Sequence, residues 1–223
     1  MAECTHNCST CSQKCSHEIE YFSLHEQAKV KNIIGIVSGK GGVGKSLVTS
    51  LVASKMAKLG YKVGILDADI TGPSIPKSFG VTEMAVGSEL GIYPNETKEG
   101  IKMMSVNLLV EDPNRPVIFR GPALGSLIQQ FYSNVLWGDL DYLFIDMPPG
   151  TADVTLTIFQ QIPVDGILVV STPQDLVKMI VKKSITMANM LNVNVLGLVE
   201  NMSSMFMGCS NLKKLDVDIP LGT

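Results

Sequence analysis

The chain is short of aromatic residues, of long apolar runs and of clustered positive charge, and each shortage excludes something. Phe, Trp and Tyr make up 6% of the 223 residues, against 45% for hydrophobic residues of all kinds. Its core must therefore be largely aliphatic, as in a parallel sheet covered by helices. No apolar stretch approaches the roughly 18–20 residues that span a bilayer, and the polar, cysteine-rich start does not read as a secretory leader. The net charge is −3 with no long basic run, which gives non-specific nucleic-acid binding little electrostatic support. A soluble, cytoplasmic protein with neither nucleic acid nor membrane as partner is expected. There is no internal repeat, and the length suits one large α/β domain.

What is present is a regular alternation. Short runs rich in Val, Ile and Leu recur at Val30–Val37, Lys62–Leu66, Ile101–Val106, Tyr142–Ile145, Gly166–Val170 and Val195–Val199. Helical spacing fills Leu47–Leu59, Ala123–Leu136 and Asp175–Leu191. This order predicts a mostly parallel, doubly wound sheet with helices on both faces, whose ligands bind beyond the carboxyl ends of the strands. Residues 82–100 are weakly patterned and read as loop or hairpin. Residues 1–27 form a separate polar arm with four of the five cysteines and all three histidines; residues 28–223 form the folded domain.

Between the first strand and first helix stands Gly39-Lys40-Gly41-Gly42-Val43-Gly44-Lys45-Ser46. It fits the phosphate-binding loop G-x-x-x-x-G-K-[ST], in which backbone N–H groups cradle phosphates, the lysine reaches the β- and γ-phosphates and the hydroxyl ligates Mg²⁺. The helix N-terminus adds partial positive charge. Gly39 to Ser46, with Leu47 next to them, are the expected nucleotide-binding residues. Lys40 is a second lysine that the general motif does not require.

Such a loop needs carboxylates to handle the metal. Asp146 follows Tyr142-Leu143-Phe144-Ile145 at a strand's carboxyl end, the Walker-B position for holding Mg²⁺ directly or through water. Asp67 and Asp69 follow Val63-Gly64-Ile65-Leu66 in the same way. Asp67 is expected to share the metal with Ser46 and Asp146, and Asp69 to face the γ-phosphate and its attacking water. Met147-Pro148-Pro149-Gly150-Thr151 forces an abrupt turn after the strand.

Cys4, Cys8, Cys11 and Cys15 have the spacing C-x3-C-x2-C-x3-C. Spacing leaves four readings open: an iron–sulfur cluster, structural zinc with His6 or His17 nearby, two disulfides in an oxidising compartment, or free thiols. Met202, Met205 and Met207 flank Cys209 and are read as packing rather than as copper ligands.

These segments together resemble a known family. Gly39–Ser46 looks like the deviant Walker A motif, with Lys40 as its signature lysine. Asp67-Ala68-Asp69-Ile70-Thr71-Gly72-Pro73-Ser74-Ile75-Pro76 resembles the switch segment of the Mrp/ApbC-type P-loop ATPases, which act as iron–sulfur cluster carriers. Phe119-Arg120-Gly121-Pro122, Asp141–Thr151, Thr172-Pro173-Gln174-Asp175 and Glu200-Asn201-Met202-Ser203 also look like that family's segments. Related ATPases include MinD, ParA and the nitrogenase iron protein.

The resemblance implies ATP and Mg²⁺ as ligands, a [4Fe-4S] cluster as cargo, apo iron–sulfur proteins as recipients, and a homodimer with ATP sites at its interface. Lys40 would reach across to the partner's phosphates and, with Lys45 and Asp69, form the catalytic set; Asn201 would contact adenine. Family members also carry a C-x-x-C pair after Asn-Met-Ser that bridges the cluster between subunits. Here only Cys209 follows, and the C-terminal part of the domain reads as incomplete. Cys209 and the four arm cysteines are the candidate metal ligands, with zinc as the arm's alternative. Competing functions are a MinD/ParA-type positioning ATPase, an ATP-gated redox protein and a nucleotide-dependent scaffold with a zinc-binding arm.

Overall fold

The computed structural model describes residues 21–70, 72–109, 121–150, 153–173, 186 and 193–203. Its centre is a seven-stranded sheet in the order β5-β6-β2-β7-β1-β8-β9. The strands are β1 (Lys29–Ser38), β2 (Val63–Asp67), β5 (Asn95–Glu96), β6 (Lys102–Met104), β7 (Asp139–Asp146), β8 (Gly166–Ser171) and β9 (Asn194–Glu200). All pairings in it are parallel except β5 with β6. β3 (Val86–Ser88) and β4 (Gly91–Tyr93) form a separate antiparallel hairpin, which resolves the weakly patterned stretch at 82–100.

Alternation along β1 sends its side chains to two cores. Ile33 and Val37 face a layer containing Phe131, Ile158 and Trp137, supplied by α3 (Gly121–Ser133), α4 (Asp153–Gln161) and the segment after α3. Ile34 and Ile36 face the layer under α1 (Lys45–Lys58) and α2 (Ile75–Phe79). The sheet is therefore doubly wound, as the alternation of strand and helix patterns along the sequence predicts.

Helix α1 ends in a Schellman motif. Gly60 takes φ +92°, its N–H bonds Ala57 O and the Tyr61 N–H bonds Met56 O, a left-handed step that glycine makes without strain. The buried stripe of α1 is Lys45, Val48, Thr49 and Ala53, while Leu47, Leu51 and Leu59 are exposed. Sequence periodicity counts all of these leucines as apolar repeats; the helix is instead rotated so that Lys45 and Thr49 face the carboxyl ends of the strands. Helix α2 is hidden in the sequence by Pro73 and Pro76, yet proline in a first helical turn loses no intrahelical bond. Strand β6 is shorter than its apolar run, because Val106–Leu108 turn into a 3₁₀ helix. The run Asp175–Leu191, with Met187 and Met190, lies almost wholly outside the described residues.

The chain enters β1 along the opposite end of the sheet from the glycine loop. Phe22 N–H bonds Gln161 O at the end of α4, His25 Nε2 lies 2.8 Å from Leu90 O at the hairpin turn, and Lys29 N–H bonds Gly138 O.

Candidate nucleotide and metal site

The central position of β1, between β7 and β8, fixes where its following loop must lie. Met147 N–H donates to Ile36 O and Gly150 N–H to Ser38 O, so the turn after β7 is tied to the end of β1. Gly44 is the N-cap of α1 at φ +83°, a left-handed conformation costing an L side chain about 1 kcal/mol or more. A Cβ there would also collide with the Asn201 amide.

Lys45 is 6% exposed. Its Nζ lies 2.8 Å from Asp146 Oδ2 and 3.8 Å from Asp69 Oδ2. Ser46 Oγ donates to the same Asp146 Oδ2 at 2.6 Å, and Thr49 Oγ1, one turn on, lies 2.7 Å from Asp146 Oδ1. The fully buried Asp146 is thus gripped at both oxygens, as a buried carboxylate must be. Strand registry brings the other carboxylate in: Asp67 pairs with Asp146 across β2 and β7. Asp67 Oδ2 accepts from the Ile75 N–H at 3.3 Å and the Ser105 hydroxyl at 3.1 Å. Burial, reinforced by the charge of Asp146, pushes Asp67 up to about 7 despite these donors and Lys45.

Ser46 Oγ and the two carboxylates are hard oxygen donors of the kind Mg²⁺ takes. A cation already sits against them, the Lys45 ammonium on the oxygen that also meets Ser46. Among the described residues no group of three or more His, Cys, Asp or Glu forms a ready cage for a metal.

Of the expected residues, Lys45, Ser46, Asp67, Asp69 and Asp146 are brought together by these contacts, while Val43, Gly44 and Asn201 adjoin one another at the end of the loop. Asn201 Nδ2 donates to Val43 O at 2.9 Å, while its Oδ1 accepts from Met202 N–H. Both ends of this amide, expected to meet adenine, are engaged on the chain itself. Lys40, Gly41, Gly42 and Leu47 are exposed around the loop, and Gly39 is half-buried beside them. Sequence reasoning missed Thr49 and Ser105. Thr49 stands three residues after Ser46, on the same helix face; Ser105 directly follows β6, the strand beside β2. Cys4, Cys8, Cys11, Cys15 and Cys209 lie outside the described residues, as do Met205, Met207, Phe119, Arg120, Gln174 and Asp175.

A parallel sheet carrying a glycine loop, a lysine and a hydroxyl at a helix N-terminus, and aspartates at neighbouring strand ends defines a P-loop nucleotide-binding protein. Within that class, the chain belongs to the NUBPL iron-transfer P-loop NTPase family, whose model matches residues 29–216. An iron-sulfur cluster carrier protein of Clostridium perfringens is 47% identical over 94% of this chain and 77% of its own length. Another, from Methanocaldococcus jannaschii, is 48% identical over 91% and 73%. A nucleotide-binding protein of Archaeoglobus fulgidus, solved in complex with ADP, is 46% identical and superposes with a TM-score of 0.68, covering 78% of this chain and 67% of that one. The septum site-determining protein MinD of Pyrococcus horikoshii, solved with Mg-ADP, shares the fold at a TM-score of 0.54 and 21% identity over 77% of this chain and 70% of its own. No described helix is long and apolar enough to cross a membrane.

Proposed function

We propose that the protein is a cytoplasmic, homodimeric ATPase that carries a [4Fe-4S] cluster and assembles it on, or transfers it to, apo-proteins. The observation that carries this reading is the Lys45–Ser46–Asp146–Asp67 constellation in a chain of an iron-transfer family. Residues 1–27 act as a cysteine-rich arm and residues 28–223 as the ATPase domain.

In this reading the backbone N–H groups of Gly39–Ser46 and the Lys45 ammonium bind the phosphates. Ser46 and Asp146, with Asp67 behind them, would hold Mg²⁺, which would supply positive charge to offset that of the phosphates. Lys45 must leave its 2.8 Å contact with Asp146 to follow the phosphate, so the resting ion pair is exchanged for nucleotide contacts. Asp69 orients the attacking water. Lys40, exposed on the loop, serves the site of the partner subunit, where a positive charge would stabilise the transition state. Leu47 and Asn201 border the nucleoside. Cys209 and the arm cysteines are the candidate ligands for the cargo, zinc being the arm's alternative occupant.

The test is anaerobic reconstitution of the full chain with iron and sulfide, read by visible absorption, Mössbauer spectra and transfer to an apo-ferredoxin. The expected result is a [4Fe-4S] spectrum and transfer to the acceptor. A colourless protein that retains only zinc would refute the carrier reading. Lys40→Ala is expected to abolish ATP hydrolysis and spare ATP binding; unchanged turnover would remove its role in the partner's site.

A further inference from the structure

The sheet edge at β5 carries a second concavity. It lies four strands from β1 and two from β2 in the sheet order, or about 19 Å and about 10 Å at the usual ~4.8 Å strand spacing. This groove of about 800 Å³ is walled by residues 79–84 and 93–99, with Val86 at its rim. Three features give it the character of a docking surface.

The first is apolar exposure. Met84, Val86 and Tyr93 are 47%, 65% and 48% exposed and all line the groove; grouped exposed apolar side chains mark interaction sites more often than isolated ones do. The second is charge. Glu83, Glu96 and Glu99 border it against one cation, Lys98. The third is the backbone. β5, two residues long and preceded by Pro94, has β6 as its one ladder neighbour among the described residues, so it offers a short edge of peptide groups on its other side. Beneath that edge Asn95 donates through Nδ2 to Glu83 O, but its buried Oδ1 has no hydrogen-bond partner in the structure.

We propose that this groove binds an extended segment of a partner protein in which basic and apolar residues alternate, the segment adding to β5 as a further strand. Strand addition satisfies the open backbone, the alternation places every second side chain toward the apolar wall, and the basic residues meet the glutamates. The same charges disfavour other occupants. An acidic rim repels nucleic acid and anionic lipid, and two copies of the groove would set glutamates against glutamates. The chain's own first 20 residues carry Glu3, Glu18 and Glu20 against Lys14, the wrong sign. The proposal stands apart from the carrier reading, and its test uses neither nucleotide nor cluster.

The probe is a fluorescein-labelled peptide of alternating lysine and valine, seven residues long, with a glutamate–valine peptide as its counterpart. Fluorescence anisotropy on the full chain is expected to show the basic peptide binding at least tenfold more tightly. Hydrogen exchange is expected to place the new protection within residues 79–99. The triple variant Glu83→Lys, Glu96→Lys, Glu99→Lys changes only exposed positions and is expected to invert the preference. Tyr93→Ser is expected to weaken the basic peptide several-fold without inverting it. Equal affinities for the two peptides, protection elsewhere on the chain, or a preference that survives the triple reversal would each overturn the proposal.

Discussion

Removing one hydroxyl, by Thr49→Val, tests how the site is held. Thr49 is fully buried, and its Oγ1 lies 2.7 Å from Asp146 Oδ1 and 3.1 Å from Lys45 O. The single proton serves the shorter, charged contact. Valine keeps the volume and branching and deletes the donor, leaving Asp146 Oδ1 buried without it. A hydrogen bond to a charged group is worth about 1.5–3 kcal/mol, so a loss of about 2 kcal/mol is expected. In a chain of this size, that lowers Tm by roughly 4–8 °C. Thr49→Ser keeps the hydroxyl and removes one buried methyl, worth about 1 kcal/mol. Thermal unfolding followed by circular dichroism, without nucleotide, should therefore rank wild type above serine and serine above valine. A valine variant as stable as the serine variant would refute the role given to this hydroxyl. Titration with Mg-ADP should show the same ranking in affinity, because Asp146 is also the proposed metal ligand.

Three further outcomes follow from the geometry. Gly44→Ala forces a side chain into φ +83° and against the Asn201 amide; a drop of at least tenfold in nucleotide affinity is expected by calorimetry, and wild-type affinity would show that the loop tolerates the rearrangement. Gly64→Ala places a Cβ 2.6 Å from Leu140 Cδ1 and 3.1 Å from Leu143 Cδ1; overpacking should cost about 1–3 kcal/mol in stability while nucleotide affinity stays unchanged. Asp67 rises from 3.8 to about 7 on folding, so the folded state binds its proton more tightly than the unfolded chain does. Its stabilising effect is complete at acidic pH and is lost as pH climbs from about 4 toward 7. The difference in Tm between Asp67→Asn and wild type, both without metal, should grow in the variant's favour across that range; a difference independent of pH would refute the assignment.

The phosphate loop, the aspartates and most strands were legible in the sequence because each depends on local pattern. A glycine loop between an apolar run and a helix has few alternatives, and a carboxylate after four buried residues must lie at a strand end. What escaped depends on side chains far apart in the chain. Thr49 is an ordinary helical residue until β7 places Asp146 against it, and Ser105 ends an apolar run until β2 brings Asp67 within 3.1 Å. Helical spacing alone does not say which face of α1 is buried: Leu47 and Leu51 are exposed, and the polar pair Lys45 and Thr49 takes the inward face, held there by Asp146. Helix α2 escaped because two prolines near its start read as loop.

The strand order also sets a timetable for synthesis. β1 and its phosphate loop leave the ribosome before their neighbours, β7 following about 100 residues later and β8 about 130. The amide that closes over Val43 belongs to Asn201, 158 residues downstream. Until those segments appear, the nascent chain holds a glycine loop without its aspartate and an aliphatic strand with both edges open. Nucleotide capture therefore waits until Asn201 has been made. The interval before it is the period in which a chaperone has most to protect, as expected of parallel pairings that close long loops.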